Sequence, residues 1–358
     1  MVSPVELTVR FRKDESGNIT GVSLQPAIGS ETFAERVLLH EEQIAFQDGS
    51  AKLAGTLLLP RSKLPRAAII LLHGSGALTR DSFGPYPHFF VSLGLAVLIY
   101  DKRGTGASTG TRLDGTIGPP PQLSAVYYPD DLMSDALAAL SYLRTRKEIN
   151  PEAIGFWGSS EGGMLATQVA ARSKDVAFVI NSSGSVAPVW QTLLYQVEAV
   201  MKARGNSESE IEQALAYTRL WMGVARNGKQ YELYLKLRQE MLDGKKPGLF
   251  WSSRNFTSVE QMRWDWDHIL SFNPLPALEK VSCPVLGVFG ELDQSTDATS
   301  AANSMREALS KGGNHNFTVK IFPNVEHSLQ EMPSGSRMAP GLFDTIGSWL
   351  HEQVHAET

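Results

Sequence analysis

The amino-terminal part of the chain alternates apolar and polar side chains, which is the period of a β-strand with one covered face. Residues 5–25, VELTVRFRKDESGNITGVSLQ, alternate on both sides of a Gly-Asn turn and predict a β-hairpin. Residues 36–60 form a second β-rich run with a turn at Asp48-Gly49. We therefore predict an amino-terminal β segment over residues 1–60 that leads into a larger sheet.

From Ala67 onward the pattern changes to near-continuous apolar runs. AAIILLHG at 67–74 and LAVLIYD at 95–101 are typical of parallel strands that are covered on both faces. Similar runs follow at 153–159, 176–184, 284–293 and 317–325. Stretches with helical spacing lie at 130–146, 162–173, 298–310 and 340–355. This alternation predicts βαβ units and an α/β fold with a doubly wound, mostly parallel sheet.

One long segment, residues 186–275, interrupts the alternation with helix-like pieces and no strong strand pattern. We interpret it as a helical cap inserted into a core made of residues 61–185 and 276–358. Five of the seven tryptophans fall in this segment: Trp190, Trp221, Trp251, Trp264 and Trp266. They either fill the core of the cap itself or line an apolar substrate pocket beneath it.

Composition restricts the kind of partner. Apolar residues make up 42% and charged residues 20% of the chain, with a net charge of −5, so the pattern is that of a globular protein without affinity for nucleic acid. A single cysteine excludes an intramolecular disulfide and a multi-cysteine zinc site. No apolar run approaches the roughly 20 residues of a membrane span. The first residues lack the apolar core of a signal peptide. A cytoplasmic location and export with the signal already removed both stay open, as does the oligomeric state.

The candidate nucleophile lies in the pentapeptide Gly158-Ser159-Ser160-Glu161-Gly162, which fits G-x-S-x-G. An apolar strand precedes it and a helix-forming run follows, as a strand-turn-helix nucleophile elbow requires. Ser160 is the candidate rather than Ser159, because only Ser160 has glycines two positions away on both sides. A serine hydroxyl needs a base to take its proton, so a histidine and an orienting carboxylate should follow.

The base and its acid are expected beyond the carboxyl ends of later strands. His327 follows the run FTVKIF, and Asp293 follows PVLGVF. The order Ser, Asp, His is the one that α/β-hydrolases use. None of the other seven histidines combines this order with a place at a strand end. Glu291 and Asp297 compete with Asp293, which is favoured.

Two backbone N–H donors are needed for the oxyanion of a tetrahedral intermediate. One is assigned to Glu161, which follows the nucleophile. The other is assigned to Ser75 in the loop His73-Gly74-Ser75-Gly76, with Gly76 as its nearest rival. A phosphate-binding loop is disfavoured because the Walker spacing and its lysine are absent. His73 itself is interpreted as structural.

These residues give the chain a resemblance to the α/β-hydrolase superfamily, and more narrowly to bacterial serine carboxylesterases with a G-x-S-E-G-G elbow. The matching landmarks are HGSG at 73–76, YDKRGTGAST at 100–109, GSSEGG at 158–163, GELD at 290–293 and EHSL at 326–329. The resemblance implies a Ser-His-Asp triad, no metal or organic cofactor, and ester hydrolysis through an acyl-enzyme. For Asp101 and Arg103 it implies an internal ion pair that shapes their loop. The amino-terminal segment resembles the end of a preceding β module, so a longer natural amino terminus stays open.

We therefore predict a serine carboxylesterase whose partner is a small to medium, moderately apolar ester. Two other classes stay open. A serine peptidase or aminopeptidase of the same fold would bind a substrate amine with acidic residues of the cap. A non-catalytic ligand-binding protein of this fold usually lacks a triad member, and all three members are present here.

Overall fold

The structure, a computed structural model, describes residues 7–26, 29–36, 39–61, 65–110, 129–244, 256–335 and 337–354. Its strands are β1 Leu7–Lys13, β2 Ile19–Pro26, β3 Thr32–Glu35, β4 Leu39–Asp48, β5 Ala51–Pro60, β6 Arg66–Leu72, β7 Ala96–Tyr100, β8 Ile149–Ser159, β9 Val179–Ser182, β10 Val285–Gly290 and β11 Phe317–Phe322. Its α-helices are α1 Tyr86–Ser92, α2 Pro129–Arg144, α3 Glu161–Arg172, α4 Val189–Ala203, α5 Glu208–Asn227, α6 Tyr231–Leu242, α7 Val259–Asp265, α8 Leu275–Leu278, α9 Ala298–Lys311 and α10 Leu342–Val354.

The large sheet has eight strands in the order β11-β10-β9-β8-β6-β7-β5-β4. Strand β5 is antiparallel to both of its neighbours, and the other adjacent strands are parallel. The prediction of an α/β fold with a doubly wound, mostly parallel sheet is confirmed. Because parallel strands end at one edge, the loops after β6, β8, β10 and β11 open on the same side of the sheet. No helix in the described ranges is long and apolar enough to cross a membrane.

Both faces of this sheet are covered by helices. Ile70 and Leu72 of β6 belong to an apolar cluster with side chains of α2, α3 and α9, whereas Ile69 and Leu71 pack with α1 and α10. All four side chains are buried. Since neither face meets water, both sets of alternate positions are apolar, which explains the continuous runs in the sequence.

The amino-terminal segment contributes to two different sheets. Strands β1, β2 and β3 form a separate antiparallel sheet, and the predicted β1–β2 hairpin is confirmed. Strands β4 and β5 form a hairpin across the turn predicted at Asp48-Gly49, and Gly49 and Ser50 connect the paired residues Asp48 and Ala51. Gly49 has a φ of 55°, which glycine adopts without steric cost. This second hairpin extends the edge of the large sheet.

Between β9 and β10 the described residues form helices α4 to α8. Apolar side chains of α4 to α7 form a cluster of their own, in which Trp221 is fully buried and its ring lies 5.3 Å from that of Phe256. Trp190 and Trp266 pack against this cluster, and Trp251 lies outside the described residues. For Trp221, the position is that of a core side chain rather than of a pocket lining.

Helix α4 lies against the loop that follows β10. The Tyr195 hydroxyl donates a hydrogen bond to the Asp293 carbonyl at 2.6 Å, and the Gln196 amide donates to the Ser295 carbonyl at 3.1 Å. These bonds join the helical segment to the loop that carries the candidate acid.

Candidate active site

Ser160 occupies the sharp junction between β8 and α3. Its φ of 57° and ψ of −118° are a conformation that costs about 1–3 kcal/mol for a residue other than glycine. The Ser160 N–H donates to the Ser182 carbonyl of β9 at 2.8 Å, so the neighbouring strand helps to hold the turn. This geometry is that of a nucleophile elbow, which presents a side chain above the sheet edge.

The glycines on either side of Ser160 are required by close backbone contacts. A Cβ at position 158 would overlap the carbonyl of Gly162, and a Cβ at position 162 would overlap the carbonyl of Leu72 in β6. Backbone atoms of a sheet and a helix cannot move aside as the end of a side chain can. The spacing that distinguished Ser160 from Ser159 therefore has a steric cause.

Ser160, His327 and Asp293 form a continuous hydrogen-bonded chain. His327 Nε2 lies 2.9 Å from Ser160 Oγ, and His327 Nδ1 lies 2.7 Å from Asp293 Oδ2. Because a carboxylate only accepts hydrogen bonds, Nδ1 carries the proton and Nε2 presents its lone pair to the hydroxyl. Such an arrangement is able to withdraw the proton of Ser160 during attack on a carbonyl carbon.

The Asp293 carboxylate is buried and fully bonded. Its side chain has no exposed surface, and its Oδ1 accepts backbone N–H bonds from Ser295 at 2.7 Å and Thr296 at 2.8 Å. A buried carboxylate without partners would be costly. The two backbone bonds, together with the bond to His327 Nδ1, offset the cost of burying the Asp293 charge. They also fix the oxygen that faces His327.

The two competing acids make other contacts. Glu291 accepts a hydrogen bond from the Asn324 N–H at 3.0 Å. Asp297 is the N-cap of α9 and accepts from the Ser300 N–H at 2.9 Å. Of the three carboxylates weighed from the sequence, the structure brings Asp293 to the histidine.

The two predicted oxyanion donors belong to segments that adjoin Ser160. Glu161 is the first residue of α3, and the loop after β6 passes beside the elbow, since a Cβ built on Gly74 would lie 3.5 Å from the Ser160 Cβ. Ser75 is exposed and Gly76 is buried. Gly76 has a φ of 104°, which the loop tolerates because the residue is glycine.

Lys102 joins these two segments and was not singled out from the sequence. Its Nζ donates to the Gly74 carbonyl and to Glu161 Oε2, both at 2.7 Å. Its side chain is only 4% exposed. The sequence does place a lysine two residues after the end of β7, at the edge where the site forms, and that position is the one signal that points to it.

The predicted ion pair between Asp101 and Arg103 is wrong in its partners. Asp101 pairs with Arg80 at 3.1 Å, and Arg103 pairs with Asp135 of α2 at 2.7 Å and with Asp48 at 2.8 Å. Asp101 also accepts the backbone N–H groups of Arg80 at 2.8 Å and Ala107 at 2.9 Å, so its carboxylate is held towards the loop after β6 while Arg103 reaches β4 and α2.

His73 anchors the start of the loop after β6. Its Nε2–H donates to the Tyr100 carbonyl at 2.8 Å, and its ring stacks on that of Phe83 with centroids 3.9 Å apart. Burial lowers the pKa of His73 from 6.5 to about 4, because the charged imidazolium would lose its hydration. The ring is therefore neutral near pH 7 and suited to a structural position.

Within the described residues, no group of three or more histidine, cysteine and acidic side chains is arranged to hold a metal ion. The groups that the site presents are Ser160, His327, Asp293 and the nearby backbone N–H groups.

Comparison with known proteins points to hydrolases. Residues 137–334, which include Ser160, Asp293 and His327, match the family described as BAAT / Acyl-CoA thioester hydrolase C terminal. Thiohydrolase aneE of Aspergillus aculeatus is 27% identical over 186 residues, which are 49% of this chain and 54% of that protein. Esterase EstD of Thermotoga maritima is 22% identical over 336 residues, which are 90% of this chain and 69% of that protein.

Solved structures share the fold. The esterase Pf2001 of Pyrococcus furiosus aligns with a TM-score of 0.54 and 15% identity, over 88% of this chain and 92% of its own. The chain spans about half the length of the first curated relatives that it matches.

Proposed function

The chain belongs to the BAAT / acyl-CoA thioester hydrolase C-terminal family, and from this premise we propose that it is a serine carboxylesterase. The hydrogen-bonded chain from Ser160 through His327 to Asp293 is the observation that carries the proposal. The related esterases and the hydrolase fold support ester hydrolysis in general.

The first half of the reaction forms an acyl-enzyme. Ser160 Oγ attacks the carbonyl carbon of the ester while His327 Nε2 takes the hydroxyl proton, and Asp293 stabilises the imidazolium. The N–H groups of Glu161 and Ser75 bind the oxyanion. We assign the second donor to Ser75 rather than Gly76 because Ser75 is an exposed residue and Gly76 is a buried one. The bond to the alcohol then breaks, and the alcohol leaves with the proton from Nε2.

The second half releases the acid. His327 removes a proton from water, whose oxygen attacks the acyl carbon, and the bond to Ser160 Oγ breaks as Oγ regains a proton. The same two steps cleave a thioester, whose thiol leaves in place of the alcohol. Thioester hydrolysis is the second candidate, and it is favoured by the matched family and by the related thiohydrolase.

Residues 186–275 are proposed as a cap over this site, inserted in a core of residues 61–185 and 276–358. The hydrogen bonds from Tyr195 and Gln196 of α4 to the loop of Asp293 support this position. A covering segment would exclude water and contact the acyl chain.

The nucleophile is tested by comparing two adjacent serines. Ser160→Ala should lower kcat by at least about 10³-fold, the scale for loss of a triad member, and should prevent labelling by a fluorophosphonate. Ser159→Ala is the matched control and should keep most of the turnover and the labelling. A labelled peptide modified at Ser159, or full activity of Ser160→Ala, would show that the nucleophile is wrongly assigned.

The substrate class is tested with three kinds of acyl linkage. An oxygen ester, a thioester and an aminoacyl amide of graded acyl length should give kcat/KM values that favour an ester or thioester over the amide. A preference for the amide would support a peptidase. Ligand binding without serine labelling would support a non-catalytic binding protein.

A further inference from the structure

We propose that Lys102 is a positioning residue that orients and polarises the two oxyanion donors. The inference rests on the proposed function. It assigns a share of the transition-state stabilisation to Lys102, whose side chain does not itself touch the substrate. It follows from two groups that meet at the Lys102 ammonium, the Gly74 carbonyl and the Glu161 carboxylate.

The position of Lys102 is set by the sheet. The residue follows the end of β7, whose neighbour β6 leads into the loop of Gly74. Its side chain is 4% exposed, and its hydrogen bonds to the Gly74 carbonyl and to Glu161 Oε2 are each 2.7 Å long. A buried ammonium keeps its charge only when its hydrogen bonds are made and an opposite charge is near. The contacts with Gly74 and Glu161 are therefore needed to hold the charged Lys102 in this position.

The bond to Gly74 acts on the donor assigned to Ser75. The Gly74 carbonyl and the Ser75 N–H belong to one planar peptide group, in which they point in opposite directions. An ammonium that holds the carbonyl therefore fixes the direction of the N–H. A positive charge at the carbonyl oxygen also draws electrons away from the N–H, which makes this group a stronger hydrogen-bond donor.

The bond to Glu161 ties the second donor to the same ammonium. Glu161 begins α3 and supplies the other N–H. Its carboxylate is 23% exposed and, unpaired, would repel the negative charge that develops on the substrate oxygen. Lys102 neutralises this charge, so that the backbone N–H groups act on the oxyanion without an opposing carboxylate.

The test is Lys102→Met in the full chain, a change that removes the ammonium and its charge and leaves an unbranched side chain one atom shorter. Loss of an entire oxyanion donor costs about 10²–10³-fold in kcat. Because both N–H groups are retained, we expect a loss of about 10–100-fold in kcat and little change in KM. The affinity for an arylboronic acid, which forms a tetrahedral adduct with the serine, should fall in parallel with kcat/KM.

Lys102→Met/Glu161→Gln separates orientation from charge. The double variant has no unpaired carboxylate, so it should recover part of the loss without reaching the wild-type kcat, because the Gly74 carbonyl is still not held by an ammonium. Recovery to the wild-type kcat would overturn the proposal. If Lys102→Met alone does not give the wild-type circular dichroism spectrum, the double variant decides.

Arg80→Met is the matched control. Arg80 follows β6, as Gly74 does, and it pairs with Asp101 rather than with Gly74 or Glu161. It should lower the melting temperature and leave kcat and boronate affinity unchanged. A wild-type protein that a fluorophosphonate does not label would contradict the proposed function itself. A labelled, active wild type beside a Lys102→Met variant with unchanged kcat and boronate affinity would contradict only the role of Lys102.

Discussion

Replacing His73 with glutamine should remove part of the acid sensitivity of the fold. The His73 ring is buried, donates to the Tyr100 carbonyl and has its pKa lowered from 6.5 to about 4 by burial. Between these two values the unfolded chain binds a proton at this position and the folded chain does not. The free energy of unfolding therefore rises with pH across this window and falls on acidification.

The size of the effect follows from the two proton affinities. Each tenfold difference in proton affinity between the folded and unfolded chain is worth about 1.4 kcal/mol. The neutral imidazole therefore contributes about 3 kcal/mol to the free energy of unfolding, which is present above pH 6.5 and lost by about pH 4. At about pH 5 the loss should be about 2 kcal/mol. In His73→Gln the glutamine amide keeps an N–H that can reach the Tyr100 carbonyl, and the glutamine side chain does not titrate.

Urea unfolding of both proteins between about pH 7.5 and 5 gives the difference in their free energies of unfolding, in which the other titrating groups cancel. The wild type should be the more stable at high pH, because glutamine loses the stacking contact with Phe83. The difference should shrink by about 2 kcal/mol at the lower pH. Two curves that stay parallel across this range would refute a neutral, buried His73.

Two further changes test the acid and the helical segment. Asp293→Asn should lower kcat by about 10⁴-fold, as expected when the histidine loses the correct tautomer. Asp297→Asn should change kcat little, because Asp297 caps α9. The opposite order in steady-state rates would show that the acid is wrongly assigned. Trp221→Ala should cost about 3–5 kcal/mol in the free energy of unfolding, the cost of emptying a buried aromatic site, and should affect short and long acyl esters alike. A shift in acyl preference with an unchanged melting temperature would place Trp221 in the substrate pocket instead.

Much of the fold was predictable because its causes are local and periodic. Continuous apolar runs such as 67–74 occur where a strand is covered on both faces, and β6 has clusters on both of its sides. The elbow was predictable for a steric reason, since Gly158 and Gly162 are the residues at which a side chain would meet backbone. The contact at Gly158 is made within the elbow itself and the contact at Gly162 is made with the adjacent strand β6, so both recur wherever a strand, a sharp turn and a helix follow one another and both leave a pattern in the sequence.

Other features depended on which distant residues meet, and no local pattern contains that information. Sequence order left three acids near position 293 in competition, and packing placed Asp293 beside His327 while Asp297 capped a helix. The helical segment was foreseen, but the contact of α4 with the acid loop was not.

The partners of the charged side chains are the features that could least be predicted from the sequence. Lys102 bonds to a carbonyl 28 residues away and to a carboxylate 59 residues away, and Arg103 pairs with acids on β4 and α2 instead of with its neighbour Asp101. A long side chain can reach any group that the fold brings within several ångströms, so its partner is decided by the order of strands in the sheet. Backbone conformation was encoded nearby in the chain. The partners of Lys102 were settled only when the ends of β6, β7 and β8 came together, and those of Arg103 only when β4 and α2 packed beside the end of β7.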